Sequence, residues 1–148
     1  MKKILIIIFL LISKNVVADG YDVFSVGYFD VKLDNSSSDE STDFRYERRF
    51  DNSLFTIGPD LYDFFTFKPF VGVEITSDKS SFFLAGVYLD DNVGTMLSGK
   101  SSNFLFTPSF GVGVYENSDG KDLGNAIQFR TTLEFSYQLE SKNRIGIS

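Results

Sequence analysis

From Asn125 to Leu139 the apolar side chains fall on alternate residues. Ile127, Phe129, Leu133, Phe135, Tyr137 and Leu139, with Thr131 among them, point one way. Ala126, Gln128, Arg130, Thr132, Glu134, Ser136 and Gln138 point the other. A period of two marks extended backbone, because successive side chains leave opposite faces of the pleat. A helix would scatter the same residues around its circumference. A strand this long, greasy on one face and charged on the other, belongs to a sheet that separates two unlike surroundings.

The pattern recurs along the chain. In Asn103–Glu116, Phe104, Phe106, Phe110, Val112 and Val114 share a face with Pro108, opposite Asn103, Thr107, Ser109, Gly111 and Gly113; Leu105 breaks the rule. In Phe64–Thr76, Phe65, Phe67, Val71, Val73 and Ile75 oppose Thr66, Lys68, Gly72, Glu74 and Thr76, with Phe70 out of pattern. In Asp43–Phe50, Phe44, Tyr46 and Phe50 alternate with Asp43, Arg45, Glu47 and Arg49. Tyr21–Leu33 and Ser81–Leu89 read as strands with mixed faces. Polar Asp34–Ser41, short Ser77–Ser80, Gly- and Asp-rich Asn117–Gly124 and the tight turn Ser141–Asn143 punctuate them. The reading is six strands and the start of a seventh near Arg144. The long connections Asp51–Asp63 and Asp91–Ser102 leave room for short extra strands. Pro69 and Pro108 lie inside strands, where each removes a ladder donor, and are expected to mark bulges.

Lys2 and Lys3 precede the unbroken apolar run Ile4–Ile12, and Val16-Val17-Ala18 supplies small residues for cleavage. Residues 1–18 therefore read as an export signal, too short to span a bilayer as a helix. Removing them takes away three lysines and no acids. That leaves 11 basic against 20 acidic side chains, a net charge of −9. A chain this acidic lacks the basic footprint that nucleic acid requires. Residues 19–148 are then a single domain.

Two all-β architectures fit. A soluble barrel, here a periplasmic one binding an apolar ligand, turns its greasy face inward. A transmembrane barrel turns it toward lipid and keeps polar residues inside. The row Asp43, Arg45, Glu47 and Arg49 alternates in sign, and Lys68, Glu74, Arg130 and Glu134 extend it on other strands. Such a row suits a narrow sealed interior, where each charge needs a partner. With the export signal and strands long enough to cross, at about 9–11 residues each, this favours an antiparallel up-and-down outer-membrane β-barrel.

The sequence has no His and no Cys. It thus lacks the commonest neutral-pH base and any thiolate ligand. No catalytic, cofactor-binding or metal-binding residue is assigned within these residues, and no cofactor is expected. Ser109 and Ser136 read as small interior residues. The stretch from Asn117 to Asp122 has only a faint calcium-loop look, with its glycine at the wrong offset. Gly111 and Gly113 read as strand packing, the Asp43–Arg49 row as an interior network rather than a phosphate site, and Asp90-Asp91 as a strand end.

Several stretches resemble a known family. "FTPSFGVGVY", the loop Gly120–Gly124, "IQFRTTLEFSYQL" and "NRIGIS", together with "FSVGYFDV" (Phe24–Val31) and "FKPFVGVEIT" (Phe67–Thr76), are similar to the PagL-type lipid A 3-O-deacylases, also called acyloxyacyl hydrolases. The resemblance implies an eight-stranded outer-membrane barrel that hydrolyses an ester-linked acyl chain of lipid A, the lipid of lipopolysaccharide. It implies Ser-His-acid chemistry from a His-x-Ser-Asn motif in the strand beginning near Arg144, and leaves a homodimer open. The motif is expected just after Ser148, so the chain reads as an incomplete barrel lacking its catalytic residues. A closed membrane barrel needs an even strand number and no open edge, which supports the same expectation. A non-enzymatic membrane barrel with a structural or adhesive role is the alternative.

Overall fold

The computed structural model describes residues 19–29, 41–58, 65–119, 123–140 and 143–148. The expected export signal lies outside them. Seven strands form one antiparallel sheet in the order β1 (Gly20–Phe29), β2 (Ser41–Phe50), β4 (Thr66–Thr76), β5 (Ser81–Tyr88), β7 (Phe104–Glu116), β8 (Ile127–Gln138) and β9 (Arg144–Ile147). Each main strand pairs with the next in sequence, an up-and-down meander. The sheet curls into a half-barrel, so that β2 and β8, which are not ladder neighbours, meet across its concave side.

The two long connections hold short elements. β3 (Phe55–Thr56) pairs with β4, and β6 (Asp91–Asn92) pairs with β7. A six-residue helix, α1 (Val93–Ser98), follows β6; the Asn92 side chain caps its start and Gly99, at φ 69°, ends it in the left-handed region. Among the described residues no helix is long and apolar enough to cross a membrane, which says nothing of strands.

Neither proline marks a bulge. Pro69 stays in register with β5, between Lys68↔Tyr88 and Phe70↔Gly86. On its other side β2 ends at Phe50, past Arg49↔Phe70, and β3 takes over as a separate strand at Phe55↔Phe67, so the missing donor falls where no ladder partner stands. Pro108 lies within a continuous ladder. Its ladder with β8 keeps register, with Leu105↔Ser136, Pro108↔Leu133 and Phe110↔Thr131. The Leu89 N–H donates to its carbonyl at 3.0 Å. The missing donor interrupts the partner strand between Tyr88 and Asp91 without adding a residue.

The two faces are inverted relative to a soluble protein. Phe24 is 79% exposed, Phe129 69% and Ile147 77%, whereas Glu47 is 1% exposed and Arg49 2%. Phe83, Phe104, Phe110, Val112 and Leu133 also face outward. Phe70 and Leu105, the two exceptions to the alternation, point inward and are buried, at 1% and 6% exposure. Phe82, Leu84, Tyr88 and Tyr115 join Phe70 in an interior apolar cluster on β4, β5 and β7, against which Tyr21 and Leu123 pack. A narrow interior must be filled, because an unfilled void forfeits packing energy, and on this side large rings fill it.

Glycine makes that filling possible. A Cβ on Gly86 would meet the Phe110 carbonyl oxygen and stand 2.7 Å from Phe70 Cε1; on Gly111 it would stand 3.1 Å from Phe70 Cζ. Gly86 and Gly111 face each other across β5 and β7, and the Phe70 ring lies over both. Gly86→Val should therefore destabilise the folded sheet by about 1–3 kcal/mol, the range for overpacking. Urea unfolding in detergent micelles measures this. Wild-type stability of the variant would mean the Phe70 ring does not rest on the glycine pair.

Candidate functional site

The interior polar row on β2 acquires its partners from β4 and β8. Arg49 Nε donates to Glu47 Oε2 at 3.0 Å and Arg49 Nη2 to Glu134 Oε2 at 2.8 Å. Arg130 donates to Glu47, and through Nη1 to Glu74 Oε2 at 3.2 Å. Arg45 Nε reaches the same Glu74 oxygen at 3.1 Å, and Arg45 Nη2 reaches Asp43 Oδ2 at 3.4 Å. Three arginines and four carboxylates thus form one continuous ion network, with Glu47 between two arginines. Arg130 also lies over the Phe70 ring at 5.8 Å and Arg49 over Tyr88 at 5.5 Å, so the ionic half abuts the aromatic half. Lys68 stands apart from this network and pairs with Asp51 at 3.4 Å near the strand ends.

A second cluster lies between the two sheet edges. Arg144 on β9 holds both Asp90 oxygens, at 2.6 and 2.9 Å, and donates to the Tyr21 hydroxyl at 3.1 Å. Its guanidinium sits 4.5 Å from the Tyr21 ring centroid. Thr107 Oγ1 donates to Asp90 at 3.2 Å, and Arg49 Nη1 to the Tyr21 hydroxyl at 3.4 Å. A cavity of about 480 Å³ opens between β1 and β9, lined in part by Tyr21, Glu134, Arg144, Gly146 and Ser148. A smaller one of about 110 Å³ lies inside the sheet among Glu74, Phe82, Tyr115 and Arg130.

The residues singled out in the sequence fall as follows. Ser109 and Ser136 are buried interior residues; the Ser136 hydroxyl has no partner, and the neighbouring Glu134 is held by Arg49. No base stands beside either serine. Gly111 and Gly113 pack against Leu84 and the strand backbone. In the hairpin loop Ser80 Oγ donates to Asn117 at 3.4 Å, and Lys79 pairs with Asp119 at 3.1 Å, which closes this end of the sheet. The Asp43–Arg49 row is an interior network, as read. Asp90 is more than a strand end: it bridges the interior to Arg144. The signal for this was parity, since in the ladder with β7 position 90 keeps the inward phase of Tyr88.

The family model described as Lipid A 3-O-deacylase (PagL) matches residues 27–148, most of the chain. No curated protein and no solved structure matches.

Removing one partner from a buried ion network leaves an uncompensated charge. Arg49→Met strips the cation from Glu134 and one of two from Glu47. It should cost about 3–5 kcal/mol, against about 0–1 kcal/mol for an exposed pair. Adding Glu134→Gln to the Arg49→Met chain should restore part of the loss in the same urea titration. A cost below 1 kcal/mol would show the network to be water-filled.

Proposed function

We infer the function of this chain from one premise: it belongs to the lipid A 3-O-deacylase (PagL) family, whose members act on the lipid A of lipopolysaccharide. On that premise the chain is exported by residues 1–18 and sits in a bacterial outer membrane. There its sheet forms barrel wall, and it takes part in ester hydrolysis of a lipid A acyl chain. The observation that supports this is the inversion of the sheet. An outward face carrying Phe24, Phe129 and Ile147, over an interior of paired charges, matches hydrocarbon outside and a sealed lumen within.

The chemistry proposed is that of a serine esterase. A serine attacks the ester carbonyl, a histidine takes the serine proton and later returns it to the departing alcohol, and an acid orients the histidine. Water then hydrolyses the acyl-serine. The 148 residues contain no histidine, so base and nucleophile are not assigned among them. The same absence favours a second reading, a non-enzymatic barrel of structural role.

Two experiments test this. The 148-residue chain, folded in detergent micelles, should release no fatty acid from lipid A. A version extended along its reading frame through a His-x-Ser should release it, and Ser→Ala in that motif should stop it. Turnover by the 148-residue chain would overturn the mechanism. Separately, Leu133→Arg places a charge on the outward face at the middle of β8, at a cost of about 2–4 kcal/mol near mid-bilayer. It should lower the vesicle-inserted fraction in a flotation assay, whereas better yield of soluble folded protein would support the soluble barrel.

A further inference from the structure

The outer face carries one polar cluster that neither the interior network nor the esterase chemistry uses. Asp22 and Arg48 stand opposite each other on β1 and β2 and point outward. Arg48 Nη1 lies 3.4 Å from Asp22 Oδ2, and the Tyr46 hydroxyl donates to Asp22 Oδ1 at 2.9 Å. Their side chains remain accessible, at 30% for Arg48 and 45% for Asp22. Beside them along the strands is an apolar groove of about 380 Å³, lined by Phe24, Val26, Phe44, Tyr46, Val73 and Ile75. The register sets the geometry: Asp22↔Arg48 is followed by Phe24↔Tyr46 and Val26↔Phe44, with Val73 and Ile75 alongside on β4. From Asp22 to Val26 the strand advances about 13 Å at roughly 3.3 Å per residue, or about 9 Å of depth at the ~45° tilt of membrane strands, within the ~15 Å of one leaflet's hydrocarbon.

A charged pair on a lipid-facing surface is costly unless a partner or the interface solvates it. Here the pair presents a cation and an anion side by side, one ladder step beyond a groove that runs within one leaflet. That arrangement complements a zwitterion better than an anion. We propose that this groove binds a phospholipid with a phosphoethanolamine headgroup. Arg48 takes the phosphate, Asp22 takes the ammonium with the Tyr46 hydroxyl beside it, and one acyl chain lies along Phe24, Val26 and Phe44. An ammonium with N–H donors satisfies Asp22; a glycerol headgroup leaves its carboxylate facing a second anion.

The inference rests on the membrane reading above, and the experiment separates the two. The full chain is floated with vesicles of phosphatidylethanolamine or phosphatidylglycerol mixed into phosphatidylcholine. It is then extracted in micelles, and retained lipid is counted by native mass spectrometry. The expected retention favours phosphatidylethanolamine about fivefold, the ratio for roughly 1 kcal/mol from an exposed pair. Asp22→Asn, which keeps the shape and removes the carboxylate beside Arg48, should cancel or reverse that preference, and Arg48→Gln should lower retention of both lipids. Wild-type flotation by both variants shows that they fold. Equal retention of the two lipids, or an unchanged ratio in the Asp22→Asn chain, overturns the site while leaving membrane insertion intact. Failure of the wild-type chain to float with either vesicle removes the membrane reading and the groove with it.

Discussion

The salt bridges from Arg130 to Glu47 and from Arg49 to Glu134 join strands that are not neighbours in the sheet. They form only when the sheet curls far enough to bring β2 and β8 face to face. Everything else about the architecture agrees with that curl. Once these charges are enclosed, the opposite face of the strands is mostly apolar, with Asp22 and Arg48 as a charged exception. In water that surface would drive association. Against hydrocarbon it costs nothing, and the ladder hydrogen bonds satisfy the backbone between neighbouring strands.

The interior divides its labour. Along β2 and β8, with Glu74 of β4, it is ionic, and along the rest of β4 and along β5 and β7 it is mainly aromatic and aliphatic. Neither half would suffice alone. Seven closely spaced charged groups without low-polarity packing would draw water in. An all-apolar interior would lose the directional contacts that fix which strands oppose each other. The arginines join the halves by stacking on Phe70, Tyr88 and Tyr21 while bonding to carboxylates. Buried ionic groups are retained in some folds because they specify one arrangement over others, and here the arrangement specified is curvature.

Much of this was legible in the sequence. The alternation located every main strand, and in the strands that alternate cleanly it named the outward residues, because a two-residue period admits only two faces. The sign alternation of Asp43, Arg45, Glu47 and Arg49 identified the network and its members Glu74, Arg130 and Glu134 as an extension onto neighbouring strands; that β8 reaches β2 across the concave side was not legible. Filling was harder to read. Phe70 and Leu105 looked like errors in a pattern when they were the packing of a narrow interior, and Phe82 and Leu84 blurred β5 for the same reason. Alternation reports polarity, and volume has no period. Asp90 was read as a terminus because a strand break falls beside it, although its parity kept it inward. Lys68 was grouped with the network by charge alone, and Asp51, just past the end of β2, pairs with it instead. The candidate chemistry was legible only as resemblance, since without histidine no spacing within these residues could define a triad.

Glu47 precedes Arg130 by 83 positions in the chain, and Arg49 precedes Glu134 by 85. A hairpin of β1 and β2 by itself therefore holds acids and bases whose counterparts across the lumen lie far along the chain. Entry into hydrocarbon one hairpin at a time would expose those charges at a prohibitive cost, and contacts so remote in sequence form slowly. A sheet already bent, with β8 joined to β2, would meet a bilayer with those charges enclosed.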